Sequence, residues 1–348
     1  MIWLTWRQFR VQAAVVLAAV AATAVALLLT GPGLRDLART AGADFLKQVA
    51  AVERADRMLY LAGIAVLYVV PAVIGVFWGA PLISRELETG THRLVWNQTI
   101  TRQRWLVTKL GLTGLAAIAG TGLLSLAVTW WARPIDRAAD AVAGHTDYGL
   151  ARLTPVVFGA RGVVPVGYAA LALALGVTAG MLVRRAVPAM AVTLVAVIAV
   201  MIVMPIWVRS HLIPPVTTTT VITAENIDGV QGAGPGLPVH RLLVNLNQPG
   251  AWQLSSRMVD ASGKVPGELP AWVTTCMPPP GEQGTPGQQA TSQKACFDRL
   301  EAEGYRQEST YQPASRFWPL QWIETGVLLG LSALLTGFCF WWIRRRLA

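Results

Sequence analysis

An all-α polytopic membrane protein is the fold class the sequence predicts: six transmembrane helices, with a mixed α/β or irregular extracellular domain between spans five and six. The first observation is a set of six charge-free apolar runs of 19–22 residues, at 11–29, 59–78, 111–131, 163–182, 186–207 and 325–343. A helix rises ~1.5 Å per residue, so each run crosses roughly 30 Å of hydrocarbon. Lipid offers the backbone no hydrogen-bond partner, so each run has to be helical. The second observation is composition: 53% hydrophobic and 14% charged residues in 348, with a mean hydropathy of +0.46, is unusual for a soluble enzyme of this length. The third is tryptophan. Trp3, Trp6, Trp78, Trp341 and Trp342 fall near one set of run ends, and Trp130, Trp131, Trp207, Trp318 and Trp322 near the other. An indole has an apolar body and one N–H donor, and it settles at headgroup depth.

The net charge of +10 has to be read by location, because basic residues concentrate beside the cytoplasmic ends of spans. It does not by itself indicate nucleic acid. With both termini cytoplasmic, the inner segments 1–10, 79–110, 183–186 and 343–348 carry 12 of the 29 Lys and Arg in 52 residues. The outer segments carry the other 17 in more than three times that length. Arg184 and Arg185 in a short turn, and Arg344, Arg345 and Arg346 at the end, are the clearest cytoplasmic markers. One loop dissents: residues 30–58 hold five basic residues, countered by Asp36, Asp44, Glu53 and Asp56. The sequence is thus expected in a cell membrane, multi-pass, and its excess of arginine over lysine, 25 to 4, is associated with GC-rich bacterial genomes.

The elements follow in order. The first run is preceded by Arg7 and Arg10, as a signal peptide would be, but it is longer than a usual h-region, and an uncleaved anchor is expected. Leu34, Leu37, Ala41, Phe45, Val49 and Val52 recur at three or four residues, predicting an amphipathic helix on the outer leaflet or on the bundle. Pro71 should kink the second span. Gly111, Gly114, Gly176, Gly180, Gly326 and Gly330 allow close helix approach, within the chain or across a dimer. Residues 1–207 form a membrane domain. Residues 208–324 are of different character, punctuated by proline and glycine, with short strands expected at 216–222 and 241–246. Cys276 and Cys296 share this segment, so a disulfide is expected in an oxidising exterior. Closing a loop of that size stabilises by roughly 3 kcal/mol on the chain-entropy estimate. Residues 325–348 return as the sixth span and a basic tail, in which Cys339 is a packing residue. Glu324, at the outer edge, is expected to be solvated.

The connection between spans two and three is dense in charge. Ile83 and Leu87 share one helix face, with Arg85, Glu86 and Glu88 on the others. Gly90 permits a sharp exit, and Thr101 caps a new helix that carries Arg102, Arg104 and Lys109. The product is a short charged helix beneath the membrane, over about 82–93, shaped to dock a soluble partner.

At these residues the chain resembles a family. Glu86-Leu-Glu88-Thr-Gly90-Thr91, followed by Arg102, Arg104 and Lys109, is similar to the signature between spans two and three of type 2 ABC exporter permeases. It is closest to the six-span kind common in actinobacteria. Trp105, Arg-Gly-Val-Val-Pro-Val at 161–166 and Arg-Arg-x-Val-Pro-Ala at 184–189 also fit. The resemblance covers nearly all of the membrane portion and does not extend over 208–316. It implies that the segment is a coupling helix seated in a cleft of a separate ATP-binding subunit. Glu86, Glu88 and Gly90 would make that contact, with Arg85, Thr91, His92 and Arg93 around them. It also implies a second permease half, identical or paralogous.

The sequence holds no P-loop, so no cofactor is expected on this chain and ATP would be bound by the partner. There is no Gly-x-Ser-x-Gly elbow, no His-Glu-x-x-His and no Cys-x-x-Cys, so no catalytic or metal site is expected. The spans lack the internal charges of a proton relay, which counts against a proton-coupled transporter. An exporter permease is therefore expected. The alternatives are an ABC-like complex whose outer domain senses a ligand and transmits force without transport, and a membrane-embedded enzyme, for which Asp260, His240 and Glu301 are the candidates.

Overall fold

A computed structural model describes residues 2–51, 55–90, 101–141, 151–223, 226–232, 239–244, 248–266, 270, 272–273 and 286–345, with the backbone alone in 2–13, 15, 227–232, 239–244 and 286–293. Among the described residues six helices are long and apolar enough to cross a membrane: Val16–Thr40, Ala55–Glu88, Arg102–Ala141, Val164–Val183, Ala186–Leu212 and Ala314–Arg345. These are spans one to six. Every apolar run becomes a helix, and five of the six helices overrun their runs by a turn or more.

Span four is the central helix, with 67% of its 18-residue apolar stretch buried inside the fold against 11–39% for the corresponding stretches of the others. Its small residues make that position possible. A Cβ on Gly167 would reach within 3.0 Å of Leu328 on span six, and Gly176 and Gly180 lie against the backbone of span two. The partner is a matching pair, since a Cβ on Gly75 or Gly79 would come within 2.8 Å of the carbonyl oxygens of Ala172 and Leu173. Two small-xxx-small faces therefore cross inside the chain, where the absence of side chains lets backbones touch. Around Gly326 and Gly330 nothing lies within 4 Å of an added Cβ.

Span two is one continuous helical segment, not a span followed by a separate short helix. After Pro71 it widens into a π turn at Ile74–Gly79 and resumes as α-helix over Ala80–Glu88. Pro71 and Pro81 each lack an N–H, and a π turn absorbs such a mismatch without ending the helix. Pro81 falls in the first turn of the resumed α segment, where a missing donor is tolerated. Span five repeats the device, with a π turn at Met204–Val208 that includes Pro205.

The amphipathic stretch after span one exists in pieces. The helix of span one runs to Thr40, a 3₁₀ turn follows at Gly42–Asp44, and a second helix covers Phe45–Ala50. Gly42 permits the corner with φ of +51°. Leu34, Phe45, Leu46 and Val49 are buried with Tyr60, Ile64 and Leu67 of span two and Leu124, Val128 and Ile135 of span three. The stretch packs on the bundle.

The chain divides into two compact units, one of residues 1–138, 154–213 and 317–348, and another of 139–153 and 214–316. In the second, strands β1 (Val216–Val221), β4 (Trp252–Val259) and β5 (Arg306–Gln312) form an antiparallel sheet in the order β1-β5-β4, and β2 (Ile227–Gly232) pairs with β3 (Val239–Val244). Helix Pro286–Ala302 supplies Cys296, Phe297 and Leu300 to a small core with Ile222, Met258 and Val273. Arg299 stacks over Trp272, 4.3 Å from the ring centroid. Asp140 accepts the backbone N–H of Arg152 at 3.0 Å and pairs with its guanidinium.

Candidate coupling site

The last two turns of span two, Ala80–Glu88, carry the residues expected to dock a partner. Their inner face is apolar: Ile83 is fully buried in a cluster with Trp105 and Leu106 of span three, Val177 and Met181 of span four, and Cys339 and Ile343 of span six. Leu87 joins the edge of that cluster, as the four-residue spacing requires. The helix closes with the Thr89 N–H on the Arg85 carbonyl at 3.0 Å, and Gly90 leaves it with φ of +71°. The backbone N–H of Arg104 donates to Thr101 Oγ1 at 3.3 Å, the N-cap of span three.

The charged residues divide into two groups. Glu86 turns inward and pairs with Lys109 of span three, which is 5% exposed and also donates to the Leu82 carbonyl at 3.3 Å. Lys109 Nζ stands 5.0 Å from the centroid of the Trp105 ring. Glu88 is exposed, yet one carboxylate oxygen accepts the backbone N–H of Ala186 at 3.1 Å, where an acidic group complements the N-terminus of span five. Arg85 and Thr89 are exposed. Nearby, Arg184 adopts φ of +58° to cap span four, and both Arg184 and Arg185 are exposed. Thr91, His92 and Arg93 lie outside the described residues. Of the seven residues expected in the contact, Arg85, Glu86, Glu88 and Gly90 thus fall on one tip, which is tied to spans three, four, five and six.

Sequence reasoning missed two buried ion pairs at the opposite ends of the spans. Glu324 is not solvated: it is fully buried, and its oxygens accept from Arg209 Nε at 2.6 Å and Nη2 at 2.9 Å. Tyr168 donates to the same carboxylate at 3.1 Å. Arg209 also donates to the Pro155 carbonyl at 3.2 Å and stacks on Phe158. The second pair joins Arg161 Nε to Asp136 at 2.9 Å, both buried, with Tyr60 alongside. Between the pairs runs the segment leading into span four. There Gln321 Oε1 accepts the N–H groups of Val163 and Val164, and its Nε2 donates to the Phe158 carbonyl. A signal was present in sequence, since each carboxylate and guanidinium lies within a few residues of an apolar run, where an unpaired charge is costly.

In the second unit Asp260 is committed to a turn. Its Oδ1 accepts from the Ser262 hydroxyl and from the backbone N–H groups of Ser262 and Lys264. These bonds hold its carboxyl below the usual carboxylate range. Glu301 is exposed on its helix. Cys296 is buried among Trp272, Phe297 and Leu300, while Cys276 lies outside the described residues.

Six helices of membrane-crossing length, five of them packed around span four, with a charged tip tied across the bundle, make the chain a multi-pass membrane protein. A family model described as ABC-2 membrane transporter related matches residues 17–209, more than half of the chain. The chain belongs to that family, the permeases of ABC-2 type transporters. No curated protein and no solved structure matches it.

Proposed function

We propose that the chain is the membrane half of an ABC exporter, and that a separate cytoplasmic subunit binds and hydrolyses the ATP. The observation that carries the reading is the anchored tip of span two. Arg85 and Thr89 face outward while Ile83, Glu86 and Glu88 hold four other spans, so a push on the outer face reaches the bundle as a unit. Arg85, Glu88 and Gly90 supply the docking contact together with Thr91, His92 and Arg93. Glu86 acts through Lys109. Both termini lie in the cytoplasm, residues 214–316 lie outside, and a second permease half, identical or paralogous, completes the path.

The test is co-purification from the native membrane in mild detergent. Wild type brings down an ATP-binding subunit, and Arg85→Glu loses it by roughly tenfold or more, because reversing one charge replaces an attraction with a repulsion. Arg85 is exposed, so the variant keeps its fold. Equal recovery with both proteins would move the docking site elsewhere. The folded unit of 214–316, with its own small core, favours a second reading in which it senses a ligand and the complex does mechanical work. ATP-dependent accumulation of substrate in inverted vesicles separates the two.

With 214–316 outside, Cys276 and Cys296 form a disulfide. An impermeant maleimide then labels intact cells only after reduction. Cys339, at 1% exposure, contributes little background. Labelling of either cysteine without reductant removes the bridge.

A further inference from the structure

Where the ends of spans one and three meet there is a cavity of about 510 Å³ lined by Arg35, Arg39, Arg133 and Arg137, together with Phe45 and Trp130. The arginines come as two i, i+4 pairs, one on each helix, so each pair shares a face and the two faces oppose each other across the cavity. Arg35 stacks on Trp130, 4.2 Å from the ring centroid. Arg39 makes an exposed pair with Asp36 at 3.3 Å. Among the described residues no carboxylate makes an ion pair with Arg35, Arg133 or Arg137. Like charges at this spacing destabilise their helices, and an anion in the cavity would reverse that effect.

The depth identifies the anion. The apolar runs of spans one and three end at Leu29 and Trp131, so the four arginines stand roughly 3–15 Å past the hydrocarbon boundary at 1.5 Å per residue, at and just beyond headgroup depth. Guanidinium groups bind phosphate oxygens in bidentate fashion. Phe45 and Trp130 give the lining an apolar, aromatic part beside the four guanidinium groups. We infer that this cavity binds the phosphate headgroup of an anionic lipid, held between Arg35 and Arg39 on one helix and Arg133 and Arg137 on the other. It accounts for Arg35 and Arg39, two of the five basic residues in the dissenting loop 30–58, which then serve a ligand and carry no orientation signal. The inference stands apart from the exporter reading and needs no ATP-binding partner.

The test uses the full chain in phosphatidylcholine nanodiscs, offered spin-labelled phosphatidic acid or spin-labelled phosphatidylcholine, with glycerol phosphate as a soluble competitor. Wild type retains phosphatidic acid in preference to phosphatidylcholine. Arg35→Gln with Arg39→Gln, and separately Arg133→Gln with Arg137→Gln, each lower that preference roughly tenfold or more. The two double variants alter different helices, so misfolding of one leaves the other informative. Lys47→Gln, which removes an exposed charge paired with Asp44 and lies outside the cavity, leaves the preference intact. Displacement by glycerol phosphate at matching concentration would support the phosphate pocket and assign it to a soluble ligand. No preference in wild type, a preference that survives both double variants, or an equal loss in Lys47→Gln would overturn the inference.

Discussion

Arg209→Ala is expected to destabilise the membrane unit by about 3–5 kcal/mol, the usual cost of stripping one partner from a buried ion pair. Glu324 would be left without its guanidinium partner, with no exposed surface and only the Tyr168 hydroxyl as donor. The Pro155 carbonyl would lose one of its donors, keeping Tyr68 at 3.3 Å. The cost comes from the abandoned carboxylate rather than from any net worth of the pair, because desolvating two ions offsets most of their attraction. Replacing both partners, Arg209→Met with Glu324→Met, should therefore recover much of the loss. Thermal unfolding of the detergent-purified protein, followed by monodispersity, measures the cycle. A double variant no more stable than Arg209→Ala would mean that the pair supplies something beyond charge balance. A single variant with unchanged Tm would mean that the site admits water.

The same pair shows where a linear sequence stops being legible. The spans themselves could be read because an apolar run of bilayer length has one structural outcome, and each of the six became a helix. The ends could not be read in the same way. Span three continues ten residues past Trp131, and span six begins before Thr325, because Asp136 and Glu324 find guanidinium partners 25 and 115 residues away in sequence. Local hydropathy registers the charge and not its partner, so Glu324 reads as solvated. Glu86 and Glu88 pose the converse difficulty: on a helix face both look available for docking, yet Lys109 and the Ala186 N–H engage them from other spans. In the second unit β1 announces itself through Thr and Val, whereas β5, with the sequence Arg-Gln-Glu-Ser-Thr-Tyr-Gln, carries no apolar alternation. It becomes the central strand because β1 and β4 pair on its two sides. Gly176 and Gly180 were visible as a close-packing motif. Their partner pair, Gly75 and Gly79, has the same four-residue spacing, and only the fold sets the two against each other.

That crossing carries the second large effect. A Cβ at Gly176 would fall 2.7 Å from the Ala80 nitrogen and 2.9 Å from the Gly79 carbonyl carbon, and closer still to the Gly75 carbonyl oxygen. All three are backbone atoms of one helix, so no side chain can rotate away and the two spans must separate. Gly176→Ala gains up to about 1 kcal/mol in helix propensity, but overpacking at this contact costs about 1–3 kcal/mol or more, and a lowered Tm is expected. Gly326→Ala is the control, since nothing lies within 4 Å of its added methyl group; propensity alone acts there and stability is kept or raised. The two substitutions are chemically identical, so opposite signs isolate the crossing from any general effect of removing glycine. Function should follow the same contact. Gly75 stands 13 residues, roughly 20 Å, from Glu88 along one helix, and the tip at Ala80–Glu88 rests on span four through Gly180 and Ser84. Displacing span two at Gly176 shifts that tip against its anchors, so under the proposed exporter function Gly176→Ala should weaken coupling to the ATP-binding subunit even where folded protein is recovered. Equal stability and equal partner recovery for Gly176→Ala and Gly326→Ala would show that the two helices do not cross as closely as the glycine pairs require.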